Sequence, residues 1–290
     1  MRNYKYILVT AAKNEENYIE GTILSIINQT IRPQKWIIVD DGSKDKTGDI
    51  ILKYAKECKF IECVARDGDT RRNFGSQVKA INFALGMIDL AQYEYIGNID
   101  ADISIPDRYY EEAFKIFEEN PKLGLLGGYL YEKVHGEWVL DKYNREYSVP
   151  HAVQLFRRKC FEDIGGYKVL KYGGPDTYAE SMAKMCSWEV LCSAKIRAYH
   201  HRPLSAAEGK IKGAFRSGKM DYSLGYHPVY EILKCFNRFK EKPFALNGIT
   251  RLMGYLSAFI YREKEVDKNF EKFIRDEQIN RMKRMLKTGS

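Results

Sequence analysis

Residues 7–50 read ILVTAAKNEENYIEGTILSIINQTIRPQKWIIVDDGSKDKTGDI, and this stretch decides the fold. Two short apolar runs, 6–10 and 36–39, are each followed by a polar turn and then by a segment with helical spacing. Short, fully apolar strands that alternate with helices are typical of a parallel sheet covered on both faces. The sequence therefore predicts an α/β fold that begins within the first ten residues.

The alternation of strand and helix continues toward residue 102. We predict a third strand at 60–64, a helix at 75–88 and a fourth strand at 93–99. Acidic pairs follow two of the four strands: Asp40 and Asp41 after the second, and Asp100 and Asp102 after the fourth. Because ligands of open α/β sheets bind beyond the carboxyl ends of the strands, we expect both pairs to face one crevice.

Positive charge is concentrated in the last third of the chain. The net charge is +8, yet residues 195–290 hold 21 Lys and Arg against 10 Asp and Glu, so the first 194 residues are slightly acidic. With 44% apolar and 30% charged residues, the composition is that of an ordered globular protein. From about residue 205 the pattern is helical and basic. We predict a catalytic domain at 1–225 and a basic amphipathic helical tail at 226–290.

The cysteines and the apolar pattern bear on the compartment. The six cysteines form no C-x-x-C pair, and no apolar signal segment opens the chain. We expect reduced thiols in a cytoplasmic protein. No run of about 18 apolar residues occurs, since the nearest candidate, 244–261, contains Arg251. A membrane span is not predicted.

The two acidic motifs have a ligand-binding interpretation and a structural one. Asp100 and Asp102, two residues apart at a strand end, are suited to one hard divalent cation, Mg²⁺ or Mn²⁺, with ligand positions left for phosphate oxygens. The alternative is that they only cap the strand end. The segment Asp40-Asp41-Gly42-Ser43 can accept hydrogen bonds from a base or a ribose. Its alternative is a turn that caps the next helix.

Taken in order, these segments resemble family 2 glycosyltransferases. The resemblance rests on 7–50, the GSQVKAIN helix at 75–82 and the NIDADIS strand end at 98–104. It covers roughly residues 4–106, and weaker matches extend it to about 205. It implies the GT-A fold, in which a Rossmann-like half with a mostly parallel central sheet is fused to an acceptor-binding half. It also implies transfer of a sugar from a nucleoside-diphosphate sugar to an acceptor hydroxyl on a glycan or a lipid-linked molecule, with Mg²⁺ or Mn²⁺ and inversion of the anomeric carbon.

The resemblance assigns roles to particular residues. It implies nucleotide binding by Ala11, Ala12, Glu15, Asp40, Asp41, Arg72 and Asp100. Ala11 stands where the family often has Pro, and Arg71 and Arg72 lie in a loop where solvated charge is the alternative. Asp102 and Asp100 are implied as metal ligands. His200, in YHHRP, is similar to a family segment that meets the diphosphate or the metal, beside Arg202 as a phosphate clamp.

The segment GGPDTYAE, residues 173–180, supplies the candidate general base. Asp176 matches the catalytic carboxylate of the family, although Pro175 replaces the Glu that commonly precedes it. A helix N-cap is the structural alternative for Asp176. Glu180, one helical turn later, is the fallback base.

The absence of a Gln-x-x-Arg-Trp motif separates this sequence from processive polysaccharide synthases and favours one sugar per encounter. Two other functions stay open: a sugar-nucleotide pyrophosphorylase-like nucleotidyltransferase, and a non-catalytic protein that binds nucleotide or nucleic acid. The Gly-rich opening expected of the former is absent. Acidic clusters at the crevice argue against nucleic acid, because a groove that tracks phosphates needs the opposite charge.

The tail carries two apolar sets at helical spacing. The first set is Ile249, Leu252, Met253, Leu256, Phe259 and Ile260. Its spacing also suits a helix in a membrane interface, and the alternative is that it covers the catalytic domain or a partner in a homo-oligomer. The second set is Phe270, Phe273, Ile274, Met282, Met285 and Leu286, with Lys272, Arg275, Arg281, Lys283, Arg284 and Lys287 around it. That combination predicts a helix lying on an anionic membrane, at its inner face.

Overall fold

The computed structural model describes residues 4–68, 75–134, 136–202, 209–238 and 245–288. The chain divides into two compact units. The sheet unit comprises residues 1–169 and 175–203, and the helical unit comprises 170–174 and 204–290. The limits that the sequence suggested for the catalytic domain, 1–225, stay a prediction.

One mixed sheet organises the sheet unit. Its strands are β1 (Tyr6–Ala12), β2 (Lys35–Asp40), β3 (Ile61–Ala65), β4 (Tyr95–Ile99), β5 (Ile103–Ser104), β6 (Leu123–Val134), β7 (Glu137–Leu140), β8 (Val153–Arg157) and β9 (Glu189–His200). Their order is β3-β2-β1-β4-β8-β6-β9-β5, with β7 paired to β6. Strands β1 to β4 pair in parallel, as do β6 and β9, whereas β8, β7 and β5 join in antiparallel fashion. The predicted α/β fold is confirmed.

Helices cover both faces of this sheet. They are α1 (Ile19–Ile27), α2 (Thr47–Glu57), α3 (Ser76–Leu85), α4 (Tyr109–Glu119), α5 (Arg158–Asp163) and α6 (Pro175–Met185), with a short 3₁₀ helix at Leu90–Gln92. Along β1, Tyr6 and Leu8 enter the core on one face, and Ile7 and Val9 enter the core on the other. Burial of such a side chain stabilises the fold by about 1.5–3 kcal/mol. Two buried faces explain why the strands read as continuous apolar runs.

Two strands escaped sequence prediction. The segment around Trp138 reads as a polar excursion, yet it forms β7, whose four residues are all exposed. Strand β5 has only two residues and pairs with the end of β9, where Ile103 lies opposite His200. Neither strand has a buried face long enough to leave a periodic apolar signal.

The helical unit consists of α7 (Lys210–Ser223), α8 (Pro228–Asn237), α9 (Leu246–Ile260) and α10 (Lys268–Thr288). Its α10 differs from expectation, because Phe270 and Ile274 are buried and not turned outward toward a membrane. The side chains of Met285 and Leu286 lie outside the described residues. The first apolar set, on α9, is the more exposed of the two. No helix in the described part of the chain is long and apolar enough to cross a membrane.

Candidate active site

A cleft of about 250 Å³ opens beyond the carboxyl ends of β1, β2 and β4. Six predicted site residues line it together: Ala11, Ala12, Glu15, Asp41, Asp100 and Asp102. Lys13, Ser76, Gln77, Ala101 and Arg202 complete the lining. Both acidic motifs thus contribute to one crevice, as parallel strands require of residues at their carboxyl ends. Arg72 lies outside the described residues.

Asp41 is a buried carboxylate whose two oxygens are both engaged. Arg66 donates from Nη1 to Oδ1 at 2.8 Å, and the Ser76 hydroxyl donates to Oδ2 at 2.7 Å. The loop after β3 lies against this turn so closely that a Cβ on Gly68 would stand 2.0 Å from the Asp41 carbonyl oxygen. Glycine is therefore required at residue 68. The fixed carboxylate is oriented by its neighbours before any ligand arrives.

Asp40 lies beside the cleft and not in its lining. Its Oδ1 accepts a hydrogen bond from the backbone N–H of Ser43 at 2.9 Å. Its Oδ2 faces Gly48, where a Cβ would approach to 2.6 Å. These contacts belong to the turn that leads into α2. They agree with the alternative role of this acid, which was to form the turn before the next helix.

Asp100 is held by side chains from three different elements. Gln77 on α3 donates from Nε2 to Oδ1 at 2.7 Å, Asn98 donates at 3.4 Å, and His151 Nδ1 lies 3.7 Å away. Burial acts to raise the pKa of Asp100, but hydrogen bonding and charge from His151 and the charge of His200 leave that pKa below its ordinary value. The carboxylate is thus kept ionised.

Asp102 faces His200, the last residue of β9, and Arg202, two residues later. Nε2 of His200 lies 3.3 Å from Oδ2, and Nε of Arg202 lies 3.2 Å from the same oxygen. Arg202 also pairs with the Glu15 carboxylate, and its guanidinium lies 5.4 Å from the ring centre of Tyr18. Burial lowers the pKa of His200, but Asp102 outweighs that effect and the pKa is raised. Arg202 therefore bridges two acids of the cleft.

The cleft wall offers two carboxylates as candidate ligands for a divalent cation. Within the described residues, no group of three or more His, Cys, Asp and Glu side chains is arranged to hold a metal ion. His200 turns Nε2 toward Asp102, and its buried Nδ1 has no hydrogen-bond partner among these residues. Asp100 and Asp102 still supply two hard carboxylates on the cleft wall, which suits Mg²⁺ or Mn²⁺ completed by water and phosphate oxygens. The two acids fit the cation, and the role of His200 as a third ligand stays a prediction.

Asp176 lies in the first turn of α6, outside the cleft lining. The helix begins one residue earlier, at Pro175, and Asp176 Oδ1 accepts the backbone N–H of Thr177 at 2.8 Å. Glu180 is buried and accepts hydrogen bonds from the Val149 N–H at 2.5 Å and from a serine hydroxyl at 3.1 Å. Burial, with the charge of Asp176, raises the pKa of Glu180 to about 8. Glu180 anchors the segment before β8.

Sequence reasoning missed three side chains that position the site. Arg66 and Gln77 hold Asp41 and Asp100, and His151 contributes charge to Asp100. Each lies on a loop or helix that carries no acidic motif. Of the three, Gln77 was the easiest to predict from the sequence, since it lies within the GSQVKAIN segment.

Residues 7–171 match the family described as Glycosyl transferase family 2. The chain belongs to this family. It is 31% identical over 200 residues to a poly-beta-1,6-N-acetyl-D-glucosamine synthase of Staphylococcus epidermidis, which covers 62% of this chain and 44% of that protein. It is 35% identical over 127 residues to an uncharacterized glycosyltransferase of Methanocaldococcus jannaschii, with 43% and 41% of the two chains covered. The chain thus spans less than half the length of these relatives.

Solved structures confirm the GT-A fold. The mannosyltransferase PcManGT of Pyrobaculum calidifontis, in complex with GDP-Man and Mn²⁺, gives a TM-score of 0.58 at 15% identity, covering 94% of this chain and 84% of that one. S. aureus TarS gives 0.56 at 17% identity, covering 87% and 43%. The family 2 resemblance and the expected GT-A fold are both confirmed.

Proposed function

We propose that this glycosyltransferase moves one sugar from a nucleoside-diphosphate sugar to an acceptor hydroxyl and inverts the anomeric carbon. The observation that carries the proposal is the cleft itself, where the acids after β2 and β4 meet Arg202 from the end of β9. The donor class is supported by the complexes formed by structural neighbours, a TarS fragment with UDP-GlcNAc and PcManGT with GDP-Man.

The nucleoside end of the donor lies near Asp41 in this proposal. Arg66 and Ser76 fix that carboxylate, so it accepts hydrogen bonds from a base or ribose without having to reorganise. Ala11 and Ala12 line the same cleft with side chains of one carbon, which leaves room for a planar base. Glu15, paired with Arg202, completes the donor-binding side.

The diphosphate lies near Asp100 and Asp102. These residues would hold Mg²⁺ or Mn²⁺, and a divalent cation there neutralises negative charge on the departing nucleoside diphosphate. Arg202 adds a protein cation at the same place, and its planar guanidinium suits bidentate contact with phosphate. Gln77 and His151 keep Asp100 oriented and ionised for this task.

Asp176 is the proposed general base. It is partly exposed, and the hydrogen bond given above engages only Oδ1. Proton removal from the attacking hydroxyl by a positioned carboxylate contributes about 10²–10⁴ in rate. Glu180 is less suited, because it is buried and already accepts two hydrogen bonds. Attack by the hydroxyl on the face opposite the diphosphate inverts the configuration in one step.

The acceptor is proposed to be a glycan or a lipid-linked molecule, reached by a cytoplasmic enzyme that associates peripherally with the inner face of an anionic membrane. The excess of Lys and Arg in residues 195–290 supports this location. Transfer of a single sugar is supported by the missing Gln-x-x-Arg-Trp motif.

The first experiment is a donor screen by thermal shift, with and without Mn²⁺, across UDP-, GDP- and other nucleoside-diphosphate sugars. A ligand that binds only the native state raises its apparent stability, so the donor is the sugar nucleotide whose shift requires Mn²⁺. NMR of the product then reads the anomeric configuration. Retention would refute the single displacement, and the absence of any Mn²⁺-dependent shift would refute the donor site.

A further inference from the structure

Helix α9 has the reverse of the polarity expected for a helix surrounded by water. Its exposed side chains include Leu246, Ile249, Met253, Leu256, Phe259 and Ile260, each more than 40% accessible. Its buried residues are Gly248, Thr250, Arg251, Gly254, Tyr255 and Ala258. A surface helix of a water-soluble protein normally turns its apolar stripe to the core and its charges outward.

Neighbouring α8 repeats the pattern. Val229, Ile232, Leu233 and Phe236 are exposed, whereas the buried residues are Glu231 and Cys235. The buried sides of the two helices meet, because Arg251 Nε donates to Glu231 Oε1 at 3.1 Å. We call the exposed apolar side chains of α8 and α9 together the outer face. It comprises ten exposed apolar side chains on two neighbouring helices, whereas ordinary surfaces carry such residues singly.

Charges that would normally face water are collected inside the helical unit. Asp221 on α7 is fully buried and pairs with Arg251. Lys234 Nζ on α8 lies 3.1 Å from both carboxylate oxygens of Asp221. With Glu231, two acids and two bases compensate one another, three of them buried and Lys234 with 25% of its side chain exposed. Because these charges pair with one another and point inward, the outward sides of α8 and α9 are left almost entirely apolar.

Glycines bring the backbones of α7 and α9 into direct contact. A Cβ on Gly218 would lie 1.9 Å from the carbonyl oxygen of Arg251, and a Cβ on Gly254 would lie 1.9 Å from that of Phe215. Close crossings of this kind are favoured where helices cannot gain from burying large apolar side chains against one another. The tight packing inside the helical unit and its apolar exterior are therefore both consistent with an apolar surrounding for α8 and α9.

We propose that the outer face lies in the interfacial layer of an anionic membrane. Within 228–238 and 245–262 the one acid, Glu231, is buried, while Arg262 is exposed at the end of α9 and Arg238 is partly exposed. Apolar contact and attraction to anionic headgroups then act together. In a contact with a second copy these arginines would meet a surface whose one acid, Glu231, is buried, whereas anionic headgroups supply the negative charge.

This inference deepens the proposed function, on which it rests for the presence of a lipid-linked acceptor. It replaces α10 with α8 and α9 as the membrane-facing element. Its test is binding of the full chain to vesicles, which needs no sugar transfer. Failure here therefore leaves the donor screen and the product NMR untouched.

The test variant combines Met253→Gln, Phe259→Gln and Ile260→Gln. The matched control combines Leu52→Gln, Phe83→Gln and Met87→Gln, three comparably exposed apolar residues of the sheet unit. Co-sedimentation uses phosphatidylcholine vesicles with and without phosphatidylglycerol. Wild type and control should pellet with the anionic vesicles and be released by high salt, whereas the α9 variant should lose about 100-fold in vesicle affinity. Equal affinity for all three proteins would overturn the proposal.

Two variants of opposite charge at one exposed residue separate membrane binding from any effect on folding. Ile260 is 72% exposed, so Ile260→Lys and Ile260→Asp leave the interior unchanged. On anionic vesicles the Asp variant should bind at least about tenfold more weakly than the Lys variant, because charge near the headgroups changes sign. Equal binding would refute the anionic membrane. Light scattering that shows a wild-type dimer and a monomeric α9 variant, with no vesicle binding by either, would assign the outer face to a second copy.

Discussion

Two glycines of α7 give the most sharply determined prediction. Gly218 faces α9, where its added Cβ would lie 1.9 Å from the Arg251 carbonyl oxygen and 2.7 Å from the Tyr255 nitrogen. Real Cβ atoms essentially never approach closer than 3.0 Å, and both contacts are backbone atoms that no side-chain rotation can move. Gly218→Ala must therefore separate the two helices by about 1 Å. Gly213, on the same helix, would meet nothing within 4 Å.

The two substitutions should have opposite signs. Alanine stabilises a helix by about 1 kcal/mol relative to glycine. Gly213→Ala should therefore stabilise the helical unit by about 0.5–1 kcal/mol. At Gly218 overpacking costs about 1–3 kcal/mol, and since neither backbone can yield locally, we expect a net loss of about 2 kcal/mol.

Hydrogen exchange measured on peptides from α7 and α9 is the suitable assay. It reports local opening in a chain of two units, where one global melting temperature is poorly defined. A loss of 2 kcal/mol corresponds to about 30-fold faster exchange in both helices for Gly218→Ala, while Gly213→Ala should slow exchange. If Gly218→Ala leaves exchange in α9 unchanged, the close crossing of the two helices is incorrect.

Three further predictions concern the sheet unit. Asp102→Asn should abolish the Mn²⁺-dependent part of the donor-induced thermal shift, because an amide is a poor ligand for a hard cation; an unchanged shift would remove Asp102 from the metal site. Asp176→Asn should retain donor binding and lose about 10² or more in transfer rate, whereas equal loss of donor binding would make Asp176 structural. Glu180 has a folded pKa of about 8 against an ordinary value of 4.5, so it binds a proton in the folded state that the unfolded state has released. Stability should therefore fall as pH rises from about 4.5 to 8. Glu180→Gln should remove that slope in denaturant titrations at several pH values, and a slope as steep as that of wild type would assign it to other groups.

The site residues that directly follow a strand could be predicted from the sequence. Asp41, Asp100 and Asp102 each follow a buried apolar strand, and parallel strands bring such residues to one edge whatever the rest of the chain does. Gln77 and His151 are different. Their contacts with Asp100 depend on how a helix and a loop pack onto the sheet, and no local periodicity encodes that packing.

The tail shows the same distinction between pattern and environment. Helical spacing predicted where apolar stripes occur, and α9 and α10 both formed. Spacing alone does not tell whether a stripe faces protein, lipid or water. Phe270 and Ile274 are buried, whereas Met253 and Phe259 are exposed. This difference depends on where the neighbouring helices lie, which the sequence pattern does not contain.

The pairing of β5 with β9 also sets an order of events during synthesis. Arg202 is 187 residues from its partner Glu15, and His200 is 98 residues from Asp102. A ribosome adding about 5–20 residues per second completes strands β1 to β4 roughly 5–18 s before β9 begins to emerge. In that interval a nascent chain already carries the acids of the cleft, but Glu15 and Asp102 still lack their cationic partners. The complete cleft is thus among the last features of the sheet unit to form.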